Sequence, residues 1–305
     1  MTWSETLTLE GAGGEPVDLW RTIVSHGVAD LPPNRIDEDA RRLETTLAVP
    51  RGRPRMVLVE EGPEGQALLS GRGARSSAVL DAVKHMLRVD EDLSGFYEVA
   101  RDDPDLSWVV TGAGRLLRSQ TVYEDVVKTI CTTNCAWSAT VRMVNAIVEH
   151  LGEPAVGAAS EGPFGRAFPS PAAMATAPED FYRDVARAGY RGAYLRSLAE
   201  SVASGDIDLE ELATADPEEL PDEEVAARLL ALPGVGPYAA AHVMMLVGRY
   251  SRLVLDSWTR PKFASLNGGK KAKDKAIERR FRPYGRYSGL AFWLFLTRDW
   301  VADPA

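Results

Sequence analysis

Cysteine is almost missing from this chain: its 305 residues hold two, Cys131 and Cys135. Two thiols four positions apart in one helical pattern cannot make a four-cysteine zinc or iron–sulfur site. No cluster is expected, and both thiols are assigned to packing. Long apolar runs are missing too. The longest, around residues 239–247 and 289–296, fall well short of the ~20 residues that a membrane span needs. No basic amino-terminal segment leads into an apolar stretch, so no secretion signal is read. A soluble, cytoplasmic protein with no membrane partner is expected, nucleoid-associated if the source is bacterial. There is no internal repeat and no low-complexity tract. Excess positive charge is the last absence: the net charge is −9, which taken whole argues against a nucleic-acid partner.

The distribution of that charge matters more than its sum. Residues 249–286 carry twelve lysines and arginines against three acids, whereas residues 206–224 carry ten acids and no base. One basic face on an acidic body suits local gripping of DNA without indiscriminate coating.

The length suits roughly two domains. Residues 1–112 alternate short β-like runs (7–9, 45–49, 55–60 and 67–69) with glycine and proline turns, then helices near 77–87 and 93–100. This predicts a small domain built on an antiparallel sheet. From 113 to 305 the pattern turns helical. Val122, Val126, Val127 and Ile130 share one face, as do Val141, Val144, Ile147, Val148 and Leu151, with Gly152 placed to stop the second helix. Further helices are predicted at 170–175, 178–188, 191–204, 223–231, 237–249, 272–282 and 287–299. The fold class is α+β, sheet first and helices after.

Chemistry concentrates in Leu232-Pro233-Gly234-Val235-Gly236-Pro237-Tyr238-Ala239-Ala240, with Asp256 eighteen positions beyond Tyr238. Gly234 and Gly236 can take positive φ and present no Cβ to an approaching ligand. Pro237 suits a first helical position, where its missing N–H costs nothing. Free amides at that helix start point toward an anion such as a phosphate. A carboxylate nearby can stabilise positive charge on a sugar or orient a water. Read without that context, the same residues make a turn between core helices, with Asp256 as a cap.

This stretch resembles the helix-hairpin-helix signature of the base-excision DNA glycosylases (the HhH-GPD superfamily), with Asp256 where that family keeps its catalytic aspartate. Three other segments are similar to the 8-oxoguanine and alkyladenine glycosylase branch. They are Gly114-Arg115-Leu116-Leu117-Arg118 followed by Ile130-Cys131-Thr132-Thr133-Asn134, then Ala188-Gly189-Tyr190-Arg191-Gly192-Ala193-Tyr194, and Tyr284-Gly285-Arg286-Tyr287-Ser288-Gly289. The resemblance implies two helical subdomains with a cleft between them, a monomer, and duplex DNA with a damaged base as partner. A glycosylase must extrude its target from the stack. Tyr190 falls where the family places an aromatic wedge. Asn134 and Arg191 fall where relatives contact the opposite base. Gly234, Val235 and Gly236, with Arg260 and Lys262, are the remaining DNA contacts. Tyr238 and His242, one helical turn apart, with Phe292 and Trp258, are assigned to the base pocket. The resemblance also implies a sodium or potassium ion on the carbonyls of Leu230, Leu232 and Val235, and no required cofactor.

Three departures refine the expectation. Bifunctional members have a lysine at the Tyr238 position, whose amine forms a Schiff base with the sugar. Tyrosine cannot, and nothing supports Lys262 as its substitute, so a monofunctional enzyme without lyase activity is expected. Phe292 stands where 8-oxoguanine enzymes carry a glutamine, and Ala139 where they carry an arginine. A more aromatic pocket favours π-rich or cationic alkylated bases over 8-oxoguanine. The alternatives are a catalytically inactive damage sensor of the same fold and an RNA- or nucleotide-directed hydrolase.

Overall fold

The computed structural model describes residues 2–301. Strands β1 (Thr2–Thr8), β2 (Arg35–Asp37), β3 (Arg42–Leu47), β4 (Arg55–Glu61) and β5 (Gln66–Arg72) form one antiparallel sheet in the order β1-β5-β4-β3-β2. Val59 on β4 sits opposite Leu43 on β3 and Leu69 on β5, so the three make a row across the sheet. Successive side chains on a strand point to opposite faces, and this row faces helices α1 (Leu19–Ile23) and α2 (Ser77–Leu87). Ile23, Val79, Val83, Met86 and Leu87 close the core against it. Asp18 caps α1, its Oδ1 accepting the Arg21 amide at 2.8 Å.

Helices dominate the rest. In order they are α3 (Ser94–Ala100), α4 (Val122–Thr132), α5 (Trp137–Leu151), α6 (Pro171–Ala175), α7 (Arg191–Ser204), α8 (Glu211–Thr214) and α9 (Asp222–Leu230). After them come α10 (Pro237–Leu246), α11 (Thr259–Leu266), α12 (Asp274–Phe281) and α13 (Ser288–Thr297). They make two cores. One joins the apolar faces of α4, α5, α7 and α9 to one flank of α10. The other joins α3 and α11–α13 to the opposite flank of α10 through Ala241, Met245 and Leu246. Residues 239–246 of α10 are all buried, as a helix between two cores must be. Tyr238, at its start, packs against both cores, which puts the hairpin and its aromatic at the seam between them.

Several details differ from the sequence expectation. Leu93, Phe96, Tyr97, Leu106 and Val109 lie before residue 113 yet pack with the carboxy-terminal helices, not with the sheet. Helix α1, strand β2, helix α8 and helix α11 are additions to the predicted elements. The helix predicted over 178–188 contracts to a π-helical turn, Phe181–Val185, because Arg187 and Gly189 take left-handed backbone (φ 51° and 57°). The segment 24–34 ties the parts together. Its Ser25 carbonyl accepts the Trp293 indole N–H of α13 (2.9 Å), and its Leu31 carbonyl accepts Lys128 Nζ of α4 (3.1 Å). No helix among the described residues is long and apolar enough to cross a membrane.

Candidate active site

The hairpin between α9 and α10 is a tight turn in which the Val235 amide donates to the Leu232 carbonyl (3.2 Å). Gly234 has φ +80°, and a Cβ there would stand 2.7 Å from the Tyr194 ring. Gly236 departs from the expectation of positive φ: its backbone is extended (φ −97°, ψ −176°). A Cβ on it would meet no atom within 4 Å, so this face is open to a ligand. Pro237 then starts α10.

Asp256 is partly buried in the turn before α11. Its Oδ1 accepts the amides of Trp258 (2.8 Å) and Thr259 (2.6 Å), and its own amide donates to Thr259 Oγ1 (2.8 Å). The cap reading and the catalytic reading thus describe one geometry. One oxygen is held by two amides, and Oδ2 has no hydrogen-bond partner among the described residues. Tyr238 lies close enough for the Asp256 charge to matter: burial, chiefly, and that carboxylate push the phenol up, while a hydrogen bond with Thr132 pulls it down.

The Tyr238 and His242 rings lie 6.1 Å apart and near-parallel, at 18°. His242 meets His26 edge-on at 5.6 Å. Both imidazoles are buried and held neutral. Burial lowers His242 to about 4, and burial followed by the neighbouring His242 lowers His26 to about 3. His26 Nε2 lies 2.6 Å from the Leu117 carbonyl, which makes it the donor, while His26 Nδ1 and His242 Nε2 have no hydrogen-bond partner among the described residues. Beyond His26 opens a cavity of about 490 Å³, lined in part by Trp20, Gly27, Trp137 and Trp300. Trp258 connects it to Asp256, its ring 5.7 Å from Trp300 and 5.8 Å from Trp293.

Phe292 does not join this group. It is fully buried, 5.3 Å from Phe281 and 6.3 Å from Phe263, on the core side of α13. The next residue, Trp293, faces the tryptophan cluster instead. Trp20, His26, Gly27, Trp137 and Trp300 carry no signal in the sequence. They come from distant segments, and even at Gly27 a Cβ would make only ordinary van der Waals contact with Trp137, at 3.8 Å.

On the surface beside the hairpin, Tyr190 is 55% exposed at the start of α7, and Asn134, with φ +48°, donates to its hydroxyl at 3.5 Å. Arg191 is buried. Its guanidinium stacks on Tyr190 (4.6 Å) and donates to the Thr133 carbonyl, so it holds the Asn134 turn in place and offers little to an opposite base. Arg260 and Lys262 are exposed or half-exposed but paired, to Asp274 (2.8 Å) and Asp299 (2.6 Å). Cys131 and Cys135 are free thiols, and burial pushes Cys131 up to about 12.

No family model matches the chain, and the curated proteins contain no match. Solved structures do match. The 3-methyladenine DNA-glycosylase from Archaeoglobus fulgidus superposes with a TM-score of 0.73 at 19% identity, covering 98% of this chain and 100% of that one. The apo 8-oxoguanine glycosylase/lyase of Clostridium acetobutylicum gives 0.72 at 21%, covering 96% and 95%. The same glycosylase/lyase in complex with double-stranded DNA containing cytosine opposite 8-oxoG gives 0.72 at 21%, covering 98% of each. Sheet, helices and hairpin together share the fold of these solved DNA glycosylases.

Proposed function

We propose that this chain is a monofunctional DNA glycosylase of base-excision repair, which flips a damaged base, alkylated or oxidised, and hydrolyses its N-glycosidic bond with Asp256. The observation that carries this reading is the Asp256 carboxylate, fixed by two amides and lying close to Tyr238 at the hairpin. The C1′–N bond breaks with its electron pair leaving on the base nitrogen. Asp256 offsets the positive charge that develops on the sugar. Water then adds its oxygen to C1′ and gives up a proton to the carboxylate or to solvent, leaving an intact abasic site. Tyr238, in place of an amine, supports hydrolysis without a Schiff base. Tyr238 and His242, with Trp258, border the base; Gly234, Val235 and Gly236 take the backbone phosphates. A monovalent cation on the hairpin carbonyls would share the Leu232 oxygen with the Val235 amide.

The test incubates wild type and Asp256→Asn with labelled duplexes carrying alkylated, deaminated and oxidised bases, each reaction split between alkali and borohydride. Alkali-dependent breaks, no trapped adduct and an inactive variant are expected. A borohydride-trapped adduct would refute monofunctional hydrolysis, and an active variant would remove Asp256 from the chemistry. Duplex binding without excision of any lesion would favour the damage sensor.

A further inference from the structure

The last turn of α4 collects protons. Carbonyls at the end of a helix lack intrahelical partners, and here side chains serve them. Thr132 Oγ1 donates to the Thr129 carbonyl (2.7 Å) and Thr133 Oγ1 to the Ile130 carbonyl (2.8 Å). Thr140 Oγ1 donates to the Cys131 carbonyl (2.9 Å), which also receives the Cys135 thiol (3.3 Å). A hydroxyl has one proton and two lone pairs. With its proton committed to Thr129, Thr132 can only accept from the Tyr238 hydroxyl, 3.4 Å away. That sets the direction of the phenol. Burial keeps Tyr238 protonated, and its one proton points to α4, so only its lone pairs remain for the site. The Asp256 carboxylate is near enough for its charge to reach this phenol. Its Oδ1 is taken by the Trp258 and Thr259 amides, and Oδ2 has no hydrogen-bond partner among the described residues. The site thus holds two free acceptors, and the end of α4 offers them no donor.

A small molecule with two O–H donors satisfies both acceptors, and water is that molecule. We infer that Tyr238 Oη and Asp256 Oδ2 together hold the nucleophilic water, one proton each, and that Thr132 is the positioning residue that keeps the phenol turned to accept. This rests on the glycosylase reading above. With both protons held, a lone pair of the water is left to meet the sugar. The C1′–N bond breaks with its pair leaving on the base, and the water oxygen bonds to C1′. The proton on Oδ2 passes to the carboxylate, and the other stays in the new hydroxyl, hydrogen-bonded to Tyr238. Tyrosine at this position, which excludes a Schiff base, thereby gains a part in hydrolysis. Without Thr132 the phenol is free to turn and donate, and the water loses one of its acceptors. Orienting a nucleophile acts after binding, in kcat and not in KM.

The full chain and four variants test this on a lesion duplex, with melting curves on the same preparations. The variants are Thr132→Val, Thr132→Ser, Tyr238→Phe and the Thr132→Val, Tyr238→Phe double. Valine keeps the shape of threonine without the hydroxyl, and serine keeps the hydroxyl. Thr132→Val and Tyr238→Phe should each lower kcat about tenfold with KM within about twofold, and Thr132→Ser should restore wild-type kcat. In the double variant the threonine change should add nothing, because it acts only through the phenol. The nucleophile gives a second readout. Methanol has a single O–H, so a site that holds both protons of water discriminates against it. In dilute methanol, wild type and Thr132→Ser should make alkali-labile sites equal in number to the bases released. Thr132→Val and Tyr238→Phe should release more base than alkali reveals, because part of the sugar is capped as an alkali-stable methyl glycoside. An equal further loss of kcat from Thr132→Val in the Tyr238→Phe background, or methanol capture unchanged across the set, would overturn the water assignment while leaving an Asp256-dependent glycosylase intact. A wild type that excises no lesion, or an Asp256→Asn variant that excises normally, would defeat the glycosylase reading and this inference with it.

Discussion

Asparagine at position 256 keeps an oxygen for the Trp258 and Thr259 amides and is as good a cap as aspartate, but it carries no charge. Asp256→Asn should therefore melt close to wild type while excision falls by roughly 10²–10⁴-fold, with both followed on one preparation. Alanine should lose excision and, with the cap, about 1 kcal/mol of stability. His26 and His242 make a different prediction. Their folded values, about 3 and about 4, lie below the 6.5 of a free imidazole. A group lowered by folding costs nothing above its unfolded value, and its contribution is lost as pH falls from about 6.5 toward the folded value. At pH 5 each histidine should cost about 2 kcal/mol relative to pH 7.5. Urea unfolding of the His26→Gln, His242→Gln double variant should show much less loss between those two pH values. Asp125, buried and raised to about 7, works in the opposite sense and is common to both proteins, so the difference isolates the imidazoles. That Asp256 and Tyr238 come together at the hairpin is legible at this scale because their spacing from it is fixed. Phe292 is not: α13 is apolar on every side, and a helix without a polar face does not reveal which residue points to the cavity.

Elements long enough to show their period are legible in the sequence. Helices α7 and α2 have the bounds that their periodicity predicts. Helix α1, strand β2 and helix α11 escape because each is short and shows no clear apolar period of its own. Five, three and eight residues give periodicity little room, and tertiary packing decides them. The hairpin offers a test at this scale because its two glycines differ. An alanine at 234 must take φ near +80° and meet Tyr194, so Gly234→Ala should lose both thermal stability and duplex affinity. Gly236 has an extended backbone with open space beside it, so Gly236→Ala should melt like wild type and weaken only duplex binding. Melting curves beside fluorescence anisotropy would separate the two, and a strong loss of stability in Gly236→Ala would contradict the open face.

Across the whole molecule, the basic segment 249–286 is not one uniform surface. Arg249 is buried against the Ala215 carbonyl (2.8 Å) and Asp222, Arg280 lies over Phe295 (4.3 Å), and Arg260 is tied to Asp274. Charge counting along the sequence cannot tell such structural arginines from free ones. Lys270, Lys271, Lys273 and Lys275, in the loop and first turn after α11, are exposed and make no ion pair among the described residues. Replacing all four by glutamine should lower duplex affinity about equally for damaged and intact DNA. It should also flatten the salt dependence of log K by roughly 0.9 for each phosphate that is no longer neutralised. An unchanged slope would place the DNA elsewhere.

The close fit of Gly234 to the Tyr194 ring has a mechanical consequence. Tyr194 is itself 5.8 Å from Tyr190, edge to face, so the turn proposed to grip phosphate and the exposed ring proposed to probe the stack are joined through one aromatic hinge pin. Under the proposed function, grasping the backbone and testing the base pairs would then be coupled through that one ring.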